Sequence, residues 1–280
     1  MSPVNSCQRT YQMRSQITGY PPLELHEEKV LIVVKTYPRP SAKYRELVCT
    51  AGITVNGKWV RLYPISYRYL DYNKWYKKYQ WINIKIEKNK SDFRIDSYRP
   101  IETSIQAIGE PLPTNKQWND RKNLILPTVQ SGSLEEIEEK YKKDSISLGI
   151  FKPKEIVDFV IEQESSEWSK RQQQELSQLR LFEAQPKSLG KIPFKFSYKF
   201  ICNDKHCDKP HKLSIIDWEI NALYLNMKEK YRYDMDVVLQ KVKEKWLAEM
   251  WSDKRDSYLI VGTQFPNPTF MVLGVFWPPK

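Results

Sequence analysis

Glycine is scarce in this chain, 9 of 280 residues, and histidine scarcer at 3. Neither form of glycine-rich phosphate loop occurs, which argues against a P-loop or a dinucleotide fingerprint. His26, His206 and His211 are the only histidines, so a Ser-His-Asp site has few candidates. Four unevenly spread cysteines do not make a disulfide framework in a chain this long. There is no run of about 18 apolar residues that would span a membrane. The opening MSPVNSCQRTYQMRSQITGYPPLELHEEK lacks the apolar stretch of a secretory signal. No repeat period is visible. These absences lead to the expectation of a cytoplasmic protein with no membrane partner and no recognisable catalytic motif.

Positive charge and aromatic rings are abundant. Net charge is +11, and the 9 Trp, 17 Tyr and 10 Phe need either burial or a binding role. The charge is unevenly placed. Residues 29–130 hold 19 basic against 8 acidic residues, whereas residues 131–280 hold 24 against 23. A lysine-rich composition would not spare one half, so the asymmetry points to a surface on the first module that meets a polyanion.

Residues 1–28 read as a flexible N-terminal arm. In residues 29–104, Val30–Lys35 is a short β-branched strand. Leu47–Val55 and Lys58–Leu62 flank Asn56-Gly57, the dipeptide of a type I′ hairpin turn. Tyr67–Gln80 has helical spacing, Trp81–Glu87 alternates Ile82, Ile84 and Ile86 with polar residues, and Asp92–Tyr98 is a further strand. Several short strands with one helix suit a small basic OB-like barrel. Residues 105–145 read as a linker with a helix, Leu134–Lys143, capped by Ser133. Residues 146–280 read as a second OB-like module. Its strands are Ile150–Phe151, Glu155–Ile161, Phe194–Phe200, Tyr258–Thr263 and Phe270–Trp277. Glu167–Phe182 is a polar surface helix, and two amphipathic helices, Ser214–Lys230 and Asp236–Trp251, are inserted between strands. The expected class is therefore β-rich α+β, with two OB-like small barrels.

Three groups of residues could carry function. The first is a basic and aromatic cluster: Lys35, Arg39, Lys43, Arg45, Lys58, Trp59, Arg61, Tyr63, Arg68 and Trp75. Cations neutralise phosphates and release counterions, while exposed rings stack on unpaired bases. If Val60 and Leu62 point inward, Trp59, Arg61 and Tyr63 point outward together, as a binding face requires. The second group is the loop Cys202-Asn-Asp-Lys-His206-Cys207-Asp-Lys-Pro-His211, in which Cys202, Cys207 and His211 are candidate zinc ligands. Its spacing lacks the separated C-x2-C pairs of familiar zinc modules, and a polar loop with buried cysteines is the alternative. The third is Asp217 and Glu219, which fit either a metal-dependent nuclease or a helix N-terminus where they complement the dipole.

The segments KTYPRPSAKYRELVCTAGI, GKWVRLYPI and DFRIDSYRP, followed by LGIFKP, YKFICNDKHCDKPHKLSIIDWE and VGTQFPNPTFMVLGVFWPPK, resemble the bacterial dual OB-domain proteins. The resemblance covers about residues 29–100 and 148–280. It implies two OB-like barrels and an association with mobile elements or defence against foreign nucleic acid, and it supplies no catalytic residues. The expected function is binding of single-stranded or structured nucleic acid on the first barrel. A nuclease or nucleic-acid-processing subunit, and a subunit docking on a protein partner in a larger complex, are the rivals.

Overall fold

Alternating apolar residues roll the first half of the chain into a closed five-stranded barrel. The computed structural model describes residues 19–41, 45–129, 131–177, 189–204, 207, 209–264 and 268–280. Its barrel strands are β1 (His26–Lys35), β3 (Arg45–Thr54), β4 (Trp59–Ile65), β5 (Trp81–Lys88) and β6 (Ser97–Pro100). They pair in the order β1-β3-β4-β6-β5, and β5 pairs back to β1. Every contact in this ring is antiparallel except β4 with β6, where Arg61 faces Ser97. Two short strands, β2 (Arg39–Ser41) and β7 (Gln106–Ile108), add to β3 and β5. Val30, Ile32, Val60, Leu62, Ile82, Ile84 and Ile86 fill the interior with no exposed surface, as a period of two requires.

Strand β1 begins at His26, ahead of its apolar run, because His26–Glu28 pair with Ile84–Ile86 of β5. The turn at Asn56-Gly57 differs from the expected two-residue form. Thr54 and Lys58 are bonded by Thr54 N–H to the Lys58 carbonyl at 2.9 Å, which leaves Val55, Asn56 and Gly57 in the loop. Of these three only Gly57 has positive φ (73°), the pattern of a three-residue hairpin closing on a left-handed glycine. Residues Tyr67–Gln80 do not form one helix. Two 3-10 turns, Tyr67–Tyr69 and Tyr72–Lys74, are separated by extended backbone at Leu70. The segment is organised by burial of Tyr67, Tyr76 and Tyr79 rather than by helical hydrogen bonding. The strand expected at Asp92–Tyr98 starts only at Ser97, since Asp92–Asp96 form the turn before it.

The second domain contains β8 (Leu148–Phe151), β9 (Glu155–Gln163), β10 (Phe194–Ile201), β11 (His211–Ser214), β12 (Tyr258–Thr263) and β13 (Phe270–Phe276). One sheet runs β11-β10-β9 and the other β13-β12-β8. A parallel bridge between Ile215 and Val272 joins them. Helices α4 (Trp218–Lys230) and α5 (Met235–Lys243) follow β11 and pack Ile220, Tyr224, Val238 and Val242 into the core between the sheets. Asp217 begins α4 by accepting from Glu219 N–H at 2.9 Å, three residues later than the expected start at Ser214. A π-helical turn, Glu244–Glu249, continues α5 and buries Trp246.

Between β7 and β8 lie α1 (Asn115–Ile125) and α2 (Leu134–Asp144). Lys116, Gln117 and Trp118 have positive φ, so the right-handed turns of α1 come after them. Ser133 caps α2 by accepting from Glu136 N–H at 3.2 Å. The remaining described helix, α3 (Lys170–Ser177), is shorter than the expected Glu167–Phe182, whose end lies outside the described residues. No helix among the described residues is long and apolar enough to cross a membrane.

The outer face of the first barrel is also covered. Leu31, Val33, Ile53 and Trp59 pack with Leu148, Ile150, Ile260 and Leu273 of the second domain. Strand β1 is thus buried on both faces, which explains why VLIVV is continuously apolar.

Candidate functional site

Where β3 and β4 meet the second domain there is a cleft of about 480 Å³. Its first-domain wall is made by Thr36, Arg39, Pro40 and Ser41 between β1 and β3, by Cys49, Arg61 and Tyr63 on the strands, and by Asn89, Asp92 and Arg94 before β6. Ile216, Thr263, Gln264 and Leu273 of the second domain, with Arg171 of α3, stand opposite.

Arg61 and Arg94 are both buried cations of this wall, and Arg61 is 4% exposed. Its Nη1 donates to Cys49 Sγ at 3.4 Å and its Nη2 to Ser147 Oγ at 3.1 Å, while Nε is buried with no hydrogen-bond partner. The Asp96 carboxylate is linked to the guanidinium through the Ser147 hydroxyl, which donates to Asp96 Oδ1 at 2.7 Å, while Arg61 N–H donates to the Asp96 carbonyl at 2.7 Å. The other Asp96 oxygen accepts from Ser147 and Leu148 N–H at 2.6 and 2.8 Å. No described carboxylate is in hydrogen-bond contact with the guanidinium. A Cβ at Gly262 opposite would lie 2.8 Å from Leu273 Cδ1, 2.9 Å from Leu148 Cδ2 and 3.0 Å from Arg61 Nη2, so the site is closely packed.

Arg94 is held differently. It binds Asp92 through Nη2 at 2.6 Å and crosses to the second domain, donating to the Thr263 carbonyl at 2.8 Å. Burial works against ionisation of Asp92, but the hydrogen bonds and charge of Arg94 outweigh it and hold the carboxyl below its usual range. Arg39 is exposed on the rim and donates to Gln264 Oε1 at 3.3 Å. Tyr63 is 36% exposed on the same wall.

The structure brings Arg39, Arg61 and Tyr63 together and disperses the other expected binding residues. Trp59 does point away from the barrel interior, as alternation requires, but the second domain covers it. It is 6% exposed and donates Nε1–H to Thr128 Oγ1 at 3.0 Å, so it is a packing residue and not a stacking platform. The expectation that Trp59, Arg61 and Tyr63 form one solvent-facing row is corrected accordingly. Lys58 lies beside Trp59, its Nζ 5.7 Å from the Tyr20 ring centroid. Arg68 pairs with the buried Glu46 at 2.9 Å. Lys35 sits over Tyr67 at 4.0 Å and Trp218 at 4.8 Å, and burial pushes its ammonium down to about 8. Trp75 is 43% exposed and leans on Tyr67 and Tyr72. Arg45 opens β3 opposite Ser41, and Lys43 lies outside the described residues.

A second cluster lies at the turn between β10 and β11. One ligand atom from each of Glu135, Cys202, Cys207 and His211 lies within 4.8 Å of all the others. His211 Nε2 is 2.7 Å from Glu135 Oε1 and 3.4 Å from Cys207 Sγ. Leu134 and Cys202 N–H donate to the sulfurs of Cys202 and Cys207, each at 3.3 Å. Burial, reinforced by the Glu135 carboxylate, pushes the Cys202 thiol up. The sequence pattern pointed to three members of the cluster and missed Glu135, which is 76 residues from His211. Its only local signal was its place in the first turn of a capped helix. His206 lies outside the described residues.

Asp217 and Glu219 are taken up by Lys78, whose Nζ donates to Asp217 Oδ2 at 3.0 Å and Glu219 Oε2 at 2.9 Å. Asp217 is fully buried, and burial raises its carboxyl to about 6 despite the nearby ammonium.

Residues 26–127 match a family model described as a domain of unknown function (DUF8758), and residues 129–280 match another, also described as a domain of unknown function (DUF8757). No curated protein matches the chain. The boundary between the two matched regions falls between α1 and α2. Since the later match spans more than half of the residues, the chain belongs to the DUF8757 family, with a DUF8758 region ahead of it.

Proposed function

We propose that the protein binds single-stranded nucleic acid in the cleft beside β3 and β4, and that each domain is an OB-type barrel. The first-domain order β1-β3-β4-β6-β5-β1, with β4 and β6 parallel, supports the barrel reading. The second domain supports it as well if β8 and β9 are two pieces of one strand bent at Pro153. The ring then runs β9-β10-β11, crosses the parallel bridge to β13, and returns through β12 to β8. OB barrels bind oligonucleotides on their second and third strands, between the first and fourth connections. In the first domain those are β3 and β4, the segment around Arg39 and the segment around Asp92 that wall the cleft.

The observation that carries the proposal is Arg61. A guanidinium withdrawn from water without a carboxylate costs several kcal/mol, and a phosphate oxygen in the cleft would offset that cost. Tyr63 adds a ring on which a base can stack, worth about 1–3 kcal/mol. The cleft volume lies within the usual range for small-ligand pockets, about 300–1,000 Å³, and has room for a nucleotide unit. A part in bacterial defence or in a mobile element, implied by the resemblance, accords with such binding.

Fluorescence anisotropy with labelled single-stranded DNA and RNA tests the proposal. Affinity is expected to fall steeply with added salt, and to fall at least tenfold in the rim variant Arg39→Ala with Tyr63→Ala. Undiminished affinity in that variant would move the site elsewhere. Failure of the wild type to bind either nucleic acid would favour docking on a protein partner.

A further inference from the structure

We propose that Glu135, Cys202, Cys207 and His211 form a four-ligand structural zinc site that fastens α2 to the turn between β10 and β11. The proposal is independent of the cleft. Zinc takes thiolate, imidazole and carboxylate ligands in a tetrahedron, at about 2.3 Å to sulfur and 2.0–2.2 Å to nitrogen or oxygen. Those lengths require ligand atoms roughly 3.3–3.8 Å apart. The Cys207–His211 separation of 3.4 Å falls in that range, and every ligand atom is within 4.8 Å of the rest. An ion at the centre requires the 2.7 Å contact between His211 and Glu135 to open by about 0.6 Å, within the reach of a glutamate rotamer.

Three surrounding features fit a thiolate–metal centre. Two backbone N–H groups point at the two sulfurs, and one belongs to Leu134, at the positive end of α2. The second oxygen of Glu135 is buried without a hydrogen-bond partner. All four positions are filled by side chains, so no place is left for a reacting water, which marks a structural and not a catalytic ion. Binding displaces the two thiol protons to solvent, and the ion holds two thiolates, one neutral imidazole and one carboxylate.

Metal analysis of the full chain, purified without added metal, is the test. About one zinc per chain is expected, retained through dialysis and lost at least tenfold more readily to a chelator in Cys207→Ser. Cobalt substitution gives a second reading. Wild type is expected to show the visible bands of tetrahedral cobalt with thiolate charge transfer, the charge-transfer intensity falling by about half in Cys207→Ser. In Glu135→Gln both thiolate contributions should remain while the visible bands shift. A wild-type chain that arrives metal-free and takes up neither zinc nor cobalt would overturn the proposal, as would a Cys202–Cys207 disulfide in the protein as isolated.

Discussion

Lys78 of the first domain donates at 3.0 Å to Asp217, the residue that caps α4 in the second. The same ammonium reaches Glu219 at 2.9 Å, and Gly274 leaves the space in which the Asp217 carboxylate sits. The two acidic residues that suggested a nuclease in the sequence are thus part of an ionic clamp between domains. Lys78→Ala leaves Asp217 buried without its cation and is expected to cost about 3–5 kcal/mol in urea unfolding. Pairing Lys78→Met with Asp217→Asn removes both charges and should restore part of that loss. A single Lys78→Ala variant with the wild-type midpoint would mean that the clamp carries no stability.

Trp59→Ala is expected to destabilise by about 3–5 kcal/mol, because it empties a site in the core shared by the domains and leaves the Thr128 hydroxyl without its indole partner. Affinity per folded molecule should remain that of wild type. Calorimetry together with anisotropy separates the two effects, and a variant that is stable but weak in binding would return Trp59 to the binding face.

Alternation along β4 and β5 was legible in the sequence, and so was which side of each strand faces the barrel interior. What lies on the other side was not. Trp59 and Arg61 read as a solvent-facing pair because no local pattern shows that Leu148, Ile260 and Leu273, some 90–210 residues later, will cover that face. The positive φ at Gly57 was readable as a turn, but its loop length depended on the pairing of Thr54 with Lys58. Spacing alone misled at Tyr67–Gln80, where Leu70, Trp75 and Tyr79 have helical spacing but only Tyr67 is buried from a 3-10 turn, and Tyr76 and Tyr79 are buried beyond the two turns. Three of the four members of the cysteine and histidine cluster are close in sequence and were found there, whereas Glu135 arrives through tertiary packing.

Stability is expected to rise with pH from about 8 towards 10. Burial pushes Lys35 and Lys88 down to about 8 in the folded chain, against 10.5 for an ordinary lysine. Through that window the unfolded chain binds more protons, so the linkage slope is positive. Above pH 10 the buried tyrosines reverse the slope. Tyr37, Tyr67 and Tyr79 are raised to about 12, mainly by burial, and the unfolded chain loses those protons first. Urea midpoints measured across the range check both arms, and Lys35→Met should flatten the rising one. A midpoint that falls steadily from pH 8 would contradict the burial of both lysines.

Nucleic acid seated in the cleft beside Arg61 would be located there by photo-crosslinking with peptide mapping. With single-stranded oligonucleotides carrying a photoreactive base, crosslinks are expected to concentrate in peptides containing Arg39, Tyr63 and residues 89–94. Crosslinks confined to other surfaces, such as the one around Trp75, would contradict that placement.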